Sequence, residues 1–236
     1  MSEAKPKKSR DELLELLVVI LLGVTALLTA WASWVGSLHG GNQATNYTTS
    51  NNLASEGNSE YNAGMQSLMQ DMMLYNEINV LMIDQAFADD KGDEDEMEKI
   101  SWKIDELIAA NMSEALSEAF DWAMAETEAR GESVSPFEME GFVDTYFKAA
   151  NDLLAQSQET LEQGKKDNAS GDAFGLVTVV YSVVLFLLGI AGSFKGEKNK
   201  IAVICISCAA FLIATVYMFT IPMPTGFSLA SFFGGN

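Results

Sequence analysis

Three stretches of this 236-residue chain, 16–38, 173–193 and 201–221, run for at least 21 residues without an Asp, Glu, Lys or Arg. A bilayer's hydrocarbon core is about 30 Å thick and an α-helix rises about 1.5 Å per residue, so each stretch is long enough to cross it. Inside lipid every backbone amide must be satisfied within its own segment, which favours a helix. The spacing therefore predicts an all-α integral membrane protein with three transmembrane helices. The opening MSEAKPKKSR has the basic character of a signal-peptide n-region. The apolar run behind it is longer than a signal-peptide core, and Trp31 and Trp34 stand where an interfacial aromatic belt belongs, so it reads as a retained span.

Basic residues orient the spans. Lys5, Lys7, Lys8 and Arg10 precede the first, and Lys195, Lys198 and Lys200 lie between the second and third. The positive-inside rule assigns both groups to the cytoplasm of a cell membrane, and three crossings require that they share a side. The expected layout is a cytoplasmic N-terminus (1–15), a first span (16–38), an extracytoplasmic domain (39–172), a second span (173–193), a cytoplasmic loop (194–200), a third span (201–221) and an extracytoplasmic tail (222–236). Pro222 and Pro224 close the third span, and the tail carries Phe227, Phe232 and Phe233. The segment 39–172 holds 28 acidic and 7 basic residues, a net of −21 in a chain whose total is −19. That balance excludes nucleic acid as a partner, since binding it needs a basic footprint. It also opposes docking of the outer domain on anionic lipid.

One pattern starts within the first span and continues beyond it. Steps of three and four residues lead from Gly23 through Ala26, Ala30, Ser33, Ser37, Gly40, Ala44, Tyr47, Asn51, Ala54, Asn58, Tyr61, Met65, Leu68, Met72, Tyr75 and Asn79 to Met82, with no charge at any position. A period of 3.5 held this long describes one supercoiling helix, about 90 Å long at 1.5 Å per residue. Within the span the stripe is Gly, Ala and Ser, residues that let helix backbones approach closely in lipid. Two roles fit it: an oligomer seam, or the lining of a pore. Gly40-Gly41 is the weak point of such a rod, because a glycine pair costs helix stability and can kink it at the membrane surface.

Past the stripe, residues 89–95 (DDKGDED) read as a turn, because like charge and a glycine interrupt the apolar pattern. A helical stretch from about Glu96 to Arg130 follows. The chain must return to the surface it left, which places a break in this middle stretch, with Asn111 and Ser113 as caps. Ser135, Pro136 and Glu138 have the order of a capping box with proline at the first helical position. A last helix carries Val143, Phe147, Ala150, Leu154, Ser157 and Leu161 in heptad register toward the second span. The outer domain is thus expected to be a helical bundle or coiled-coil stalk between the first and second spans.

Chemistry-bearing motifs are few. Asp89, Lys91 and Asp93 could be positions 1, 3 and 5 of an EF-hand loop with Asp95 at 7, but a lysine holds a ligand position and the glycine falls at 4, not 6. Asp89, Asp90, Asp93 and Asp95 are therefore expected only to attract cations weakly. Cys205 and Cys208 lie inside the third span as small packing residues, and His39, the single histidine, has no second histidine for a metal site. Asn46, Asn111 and Asn168 begin N-x-[ST] sequons. No hydrolase, metalloprotease, phosphate-loop or dinucleotide signature occurs, so no catalytic residue, cofactor or resident metal is predicted. The sequence supports a non-enzymatic homo-oligomer in lipid, acting as a scaffold or interaction subunit, with other membrane proteins as further partners. A cation channel or its accessory subunit is the second reading. A sensor is a third, but neither cytoplasmic segment is long enough to hold a signalling domain.

Overall fold

The computed structural model describes residues 10–194 and 196–227. Lys5, Lys7, Lys8, Lys195, Phe232 and Phe233 lie outside them. Six α-helices follow in order: α1 Arg10–Lys91, α2 Glu94–Asn111, α3 Glu114–Arg130, the short α4 Phe142–Thr145, α5 Lys148–Ala191 and α6 Glu197–Met218. The described residues contain no strand. Segments of α1, α5 and α6 are long and apolar enough to cross a membrane.

Local chemistry explains the breaks. α1 has 82 residues and stays α-helical through Gly40 and Gly41. It ends at Gly92, whose φ of +69° lies in the left-handed region that other residues avoid. Gly92 N–H donates to Asp89 O at 2.9 Å and Asp93 N–H to Ala88 O at 3.0 Å, the paired bonds of a Schellman end. Asp93 then caps α2 by accepting from Glu96 N–H, with Glu94, Asp95 and Glu96 complementing the positive end of the helix. The middle stretch breaks at Met112, which is extended, and Ser113 caps α3 by accepting from Leu116 N–H. Ser135 and Glu138 form their capping box around a single 3₁₀ turn, Pro136–Glu138.

The chain divides into two compact units, one formed by the residues up to Thr49 with those from Glu159, the other by Ser50–Gln158. In the first unit the core holds Ala32, Val35, Phe174, Val177, Tyr181, Ala214 and Met218, and a second cluster holds Val18, Val184, Leu188 and Ile204. In the second unit Leu74, Ile78, Leu116, Ala119 and Phe142 form the core.

Within each unit, burial along α1 repeats every seventh residue. Val18, Thr25, Ala32 and His39 are buried in the first unit, and Ser50, Gly57, Gly64, Asp71 and Ile78 in the second. α5 answers with Ala150 and Ser157 in the second unit, and with Asp167, Phe174, Tyr181 and Leu188 in the first. Small residues at these positions bring the backbones together. Ser50 Oγ donates to Ser157 O at 2.9 Å and Ser157 Oγ returns a bond to Ser50 O at 2.8 Å. At Gly64 a β-carbon would stand 2.1 Å from the carbonyl oxygen of Tyr146, so no larger residue fits without displacing backbone.

Candidate functional site

The uncharged stripe on α1 lies one residue away from the rows that pack inside the protomer. Its members within the first unit are uncovered: Gly23, Ala26, Ala30, Ser33, Ser37, Gly40 and Ala44 are exposed, and Tyr47 is half-buried. In the second unit Asn51, Asn58 and Tyr61 are exposed, Tyr61 with its ring stacked 4.7 Å from Phe147. Ala54, Met65, Leu68, Tyr75 and Asn79 are partly covered, whereas Met72 and Met82 are exposed. The period read from the sequence is the period of burial, but the buried phase is the neighbouring one. A helix surface that is uncharged, regular and uncovered is what an external contact would use. Four of the 23 residues of 16–38 are buried, against six of 21 in 173–193 and five of 21 in 201–221.

Two buried polar clusters escaped the sequence reading. The first centres on His39, which is only 2% exposed, as is Asp167. His39 Nδ1 lies 2.9 Å from Asp167 Oδ1, and Nε2 lies 3.0 Å from Pro222 O, so each ring nitrogen has an oxygen in front of it. Asn46 and Gln163 donate their amides to Asp167 Oδ2 at 3.0 and 3.3 Å. The cluster ties α1, α5 and the segment following α6 to one point. That segment is held further by Asn42, which donates to Thr225 O at 3.1 Å, and by Phe227, whose ring lies 6.0 Å from Trp31 and 5.8 Å from Trp34. With Nε2 facing a carbonyl, His39 has no free nitrogen for proton transfer to a substrate, and the arrangement reads as a fastening.

The second cluster is in the other unit. Asp71, a charged neighbour of the stripe by sequence, is 2% exposed. Ser113 Oγ–H and Tyr146 O–H both donate to its Oδ2 at 2.5 Å. Ser113 thereby accepts from α3 and donates to α1 through one hydroxyl. Burial first, and then the hydrogen bond to Asp71, hold the Tyr146 phenol protonated well above its ordinary range. The one sequence signal for this cluster was the capping role of Ser113. Nothing local marks Asp71 or Tyr146 as its partners.

The acidic turn is open. Asp89, Asp90, Asp93 and Asp95 are exposed or partly exposed, Asp93 is engaged as a helix cap, and the Lys91 ammonium sits 4.1 Å from the centre of the Phe87 ring. Among the described residues no three His, Cys, Asp or Glu side chains gather in a way that could hold a metal ion. Cys205 and Cys208 are free thiols in α6. The sequon asparagines all sit in helices: Asn46 is turned to Asp167, Asn111 donates to Leu107 O, and Asn168 to Asp172. Lys200 is buried with its ammonium 3.4 Å from Glu15 Oε1, joining the beginnings of the first and third apolar segments. Comparison with family models, with curated proteins and with solved structures finds no match.

Proposed function

We propose that this chain is a multi-pass membrane protein that works without catalysis, as a homo-oligomeric scaffold or interaction subunit presenting an acidic extracytoplasmic helical domain. The observation that carries this reading is the stripe from Gly23 to Tyr61, uncharged, held in heptad spacing and left largely uncovered by the described residues. In lipid, Gly, Ala and Ser offer little side chain to the acyl tails but let a second helix approach closely. In water, the same face continues with Asn and Tyr, which bond across a helix pair and set its register. The particle mass of the whole chain in mild detergent is the test. A defined oligomer that dissociates when Ala26 and Ala30 are changed to Phe is the expected result, and a monomer at every concentration removes the proposal.

A cation channel or channel accessory subunit is the second reading, favoured by one pairing of features. The uncovered face within the span is small and weakly polar, and the segment 39–172 has a net charge of −21 (28 acidic, 7 basic), which would concentrate cations at a pore mouth. Planar-bilayer recording separates it from the first: conductance that falls in Ala30→Leu or Ser33→Leu favours the channel, and a silent bilayer with incorporated protein favours the scaffold.

A further inference from the structure

Residues 50–91 of α1 carry a second uncharged row that the described residues leave largely exposed, apart from the Lys91 ammonium over the Phe87 ring. Met69, Met73, Asn76, Val80, Ile83 and Phe87 follow one another by alternating steps of four and three. The five apolar members are between 51% and 71% exposed. On a heptad wheel the row faces away from Leu74 and Ile78, which fill the core of this unit. Single exposed apolar side chains are ordinary on protein surfaces, but five in heptad register within a strongly acidic domain form the seam of a helix pair.

We propose that this row is a contact between two copies of the chain, made by parallel, in-register α1 helices. The inference rests on the homo-oligomeric membrane reading, because copies inserted in one sense must present α1 in one direction. The flanks of the row identify a second copy as the occupant. Met72 and Asn79 line one flank, and Glu77 and Asp84 the other. In a parallel pair each residue of the first flank meets the partner residue five positions further on in the second flank. Met72 then faces Glu77 and Asn79 faces Asp84, so no carboxylate opposes another despite the acidity of the domain. An antiparallel pair would set the acidic flank against itself. Asn76 falls at a d position of the seam, where an in-register pair brings the two copies' amides together.

Cysteine crosslinking of the full chain in membranes tests the contact. Cys205 and Cys208 are changed to Ala, and Ile83→Cys, Val80→Cys, Asn51→Cys or the exposed α2 control Lys103→Cys is introduced singly. Mild oxidation should give a disulfide dimer for Ile83→Cys and Val80→Cys and none for Lys103→Cys. Val80→Glu with Ile83→Glu should weaken association about tenfold or more while helicity measured by circular dichroism is kept. An oligomeric mass with crosslinking at Asn51→Cys and none at residues 80 or 83 overturns the row and leaves the homo-oligomer standing. A monomeric mass with no crosslink anywhere removes both, and adducts of Ile83→Cys formed only with a different protein assign the row to another partner.

Discussion

At Asp71 a carboxylate sits in a protein core with hydroxyl groups as its hydrogen-bond partners. Each bond has a neutral donor and a charged acceptor, the stronger class of hydrogen bond, and each crosses between elements far apart in sequence. Asp71→Ala would leave the Ser113 and Tyr146 hydroxyls facing a cavity and is expected to cost about 2–3 kcal/mol in chemical denaturation. Tyr146→Phe removes one donor and should cost about 1 kcal/mol near neutral pH. The pair also predicts a dependence on pH. The folded chain keeps the Tyr146 proton where an unfolded tyrosine, with its ordinary pKa of 10.0, releases it. Its contribution is therefore full below about pH 10 and declines as pH rises above that value, because the unfolded chain then binds fewer protons. Denaturation of wild type and Tyr146→Phe from pH 8 upward checks this: the stability difference between them should shrink with rising pH, and a constant difference would count against it. None of this was legible in advance. Ser113 announces a cap from its neighbours, whereas the bonds to Asp71 span 42 and 75 residues and leave no local trace.

Element boundaries were far more legible, because they are set by local chemistry. Gly92, Ser113 and the Ser135–Glu138 box each end or start a helix through atoms within six residues of themselves. The heptad period of α1 was equally plain, but its phase was not. Choosing the row without charge selects the face left uncovered, since the covered row admits His39 and Asp71, whose polarity is answered by partners on other helices. Glycine would have been the better guide, for Gly57 and Gly64 both lie in the covered row where α1 meets the chain close to it. Gly64→Ala sets this apart from helix propensity. Alanine favours a helix over glycine by up to about 1 kcal/mol, so Gly41→Ala, with nothing within 4 Å of its new carbon, should be neutral or stabilising. At Gly64 the same carbon meets backbone, and a net loss of about 1–3 kcal/mol is expected in parallel melts. Equal behaviour of the two variants would mean that no close approach exists at Gly64.

Within the span-bearing unit, two polar layers bracket the apolar clusters. Glu15 and Lys200 join the start of the first apolar segment to the start of the third. His39, Asp167 and Pro222 join the end of the first, the beginning of the second and the end of the third. Along α1 the layers are 24 residues apart, about 36 Å of helix at 1.5 Å per residue, which matches a hydrocarbon core with part of each interface. Such layers fit three crossings that alternate in direction, and crossings of that kind would put 39–172 and 194–200 on opposite sides whichever way the chain inserts. The sign proposed from the sequence rests on charge: the positive-inside rule assigns the side bearing Lys198 and Lys200 to the cytoplasm, and the 28 acidic residues of 39–172 carry no such restraint. Single-cysteine chains lacking Cys205 and Cys208 read this out directly in intact cells. A membrane-impermeant maleimide should label Lys103→Cys from outside and reach Lys198→Cys only after the membrane is opened. Labelling of Lys198→Cys alone in intact cells would invert the orientation, and labelling of both would break the three-crossing layout, since one closed bilayer cannot expose two consecutive connections of α-helical spans on the same side.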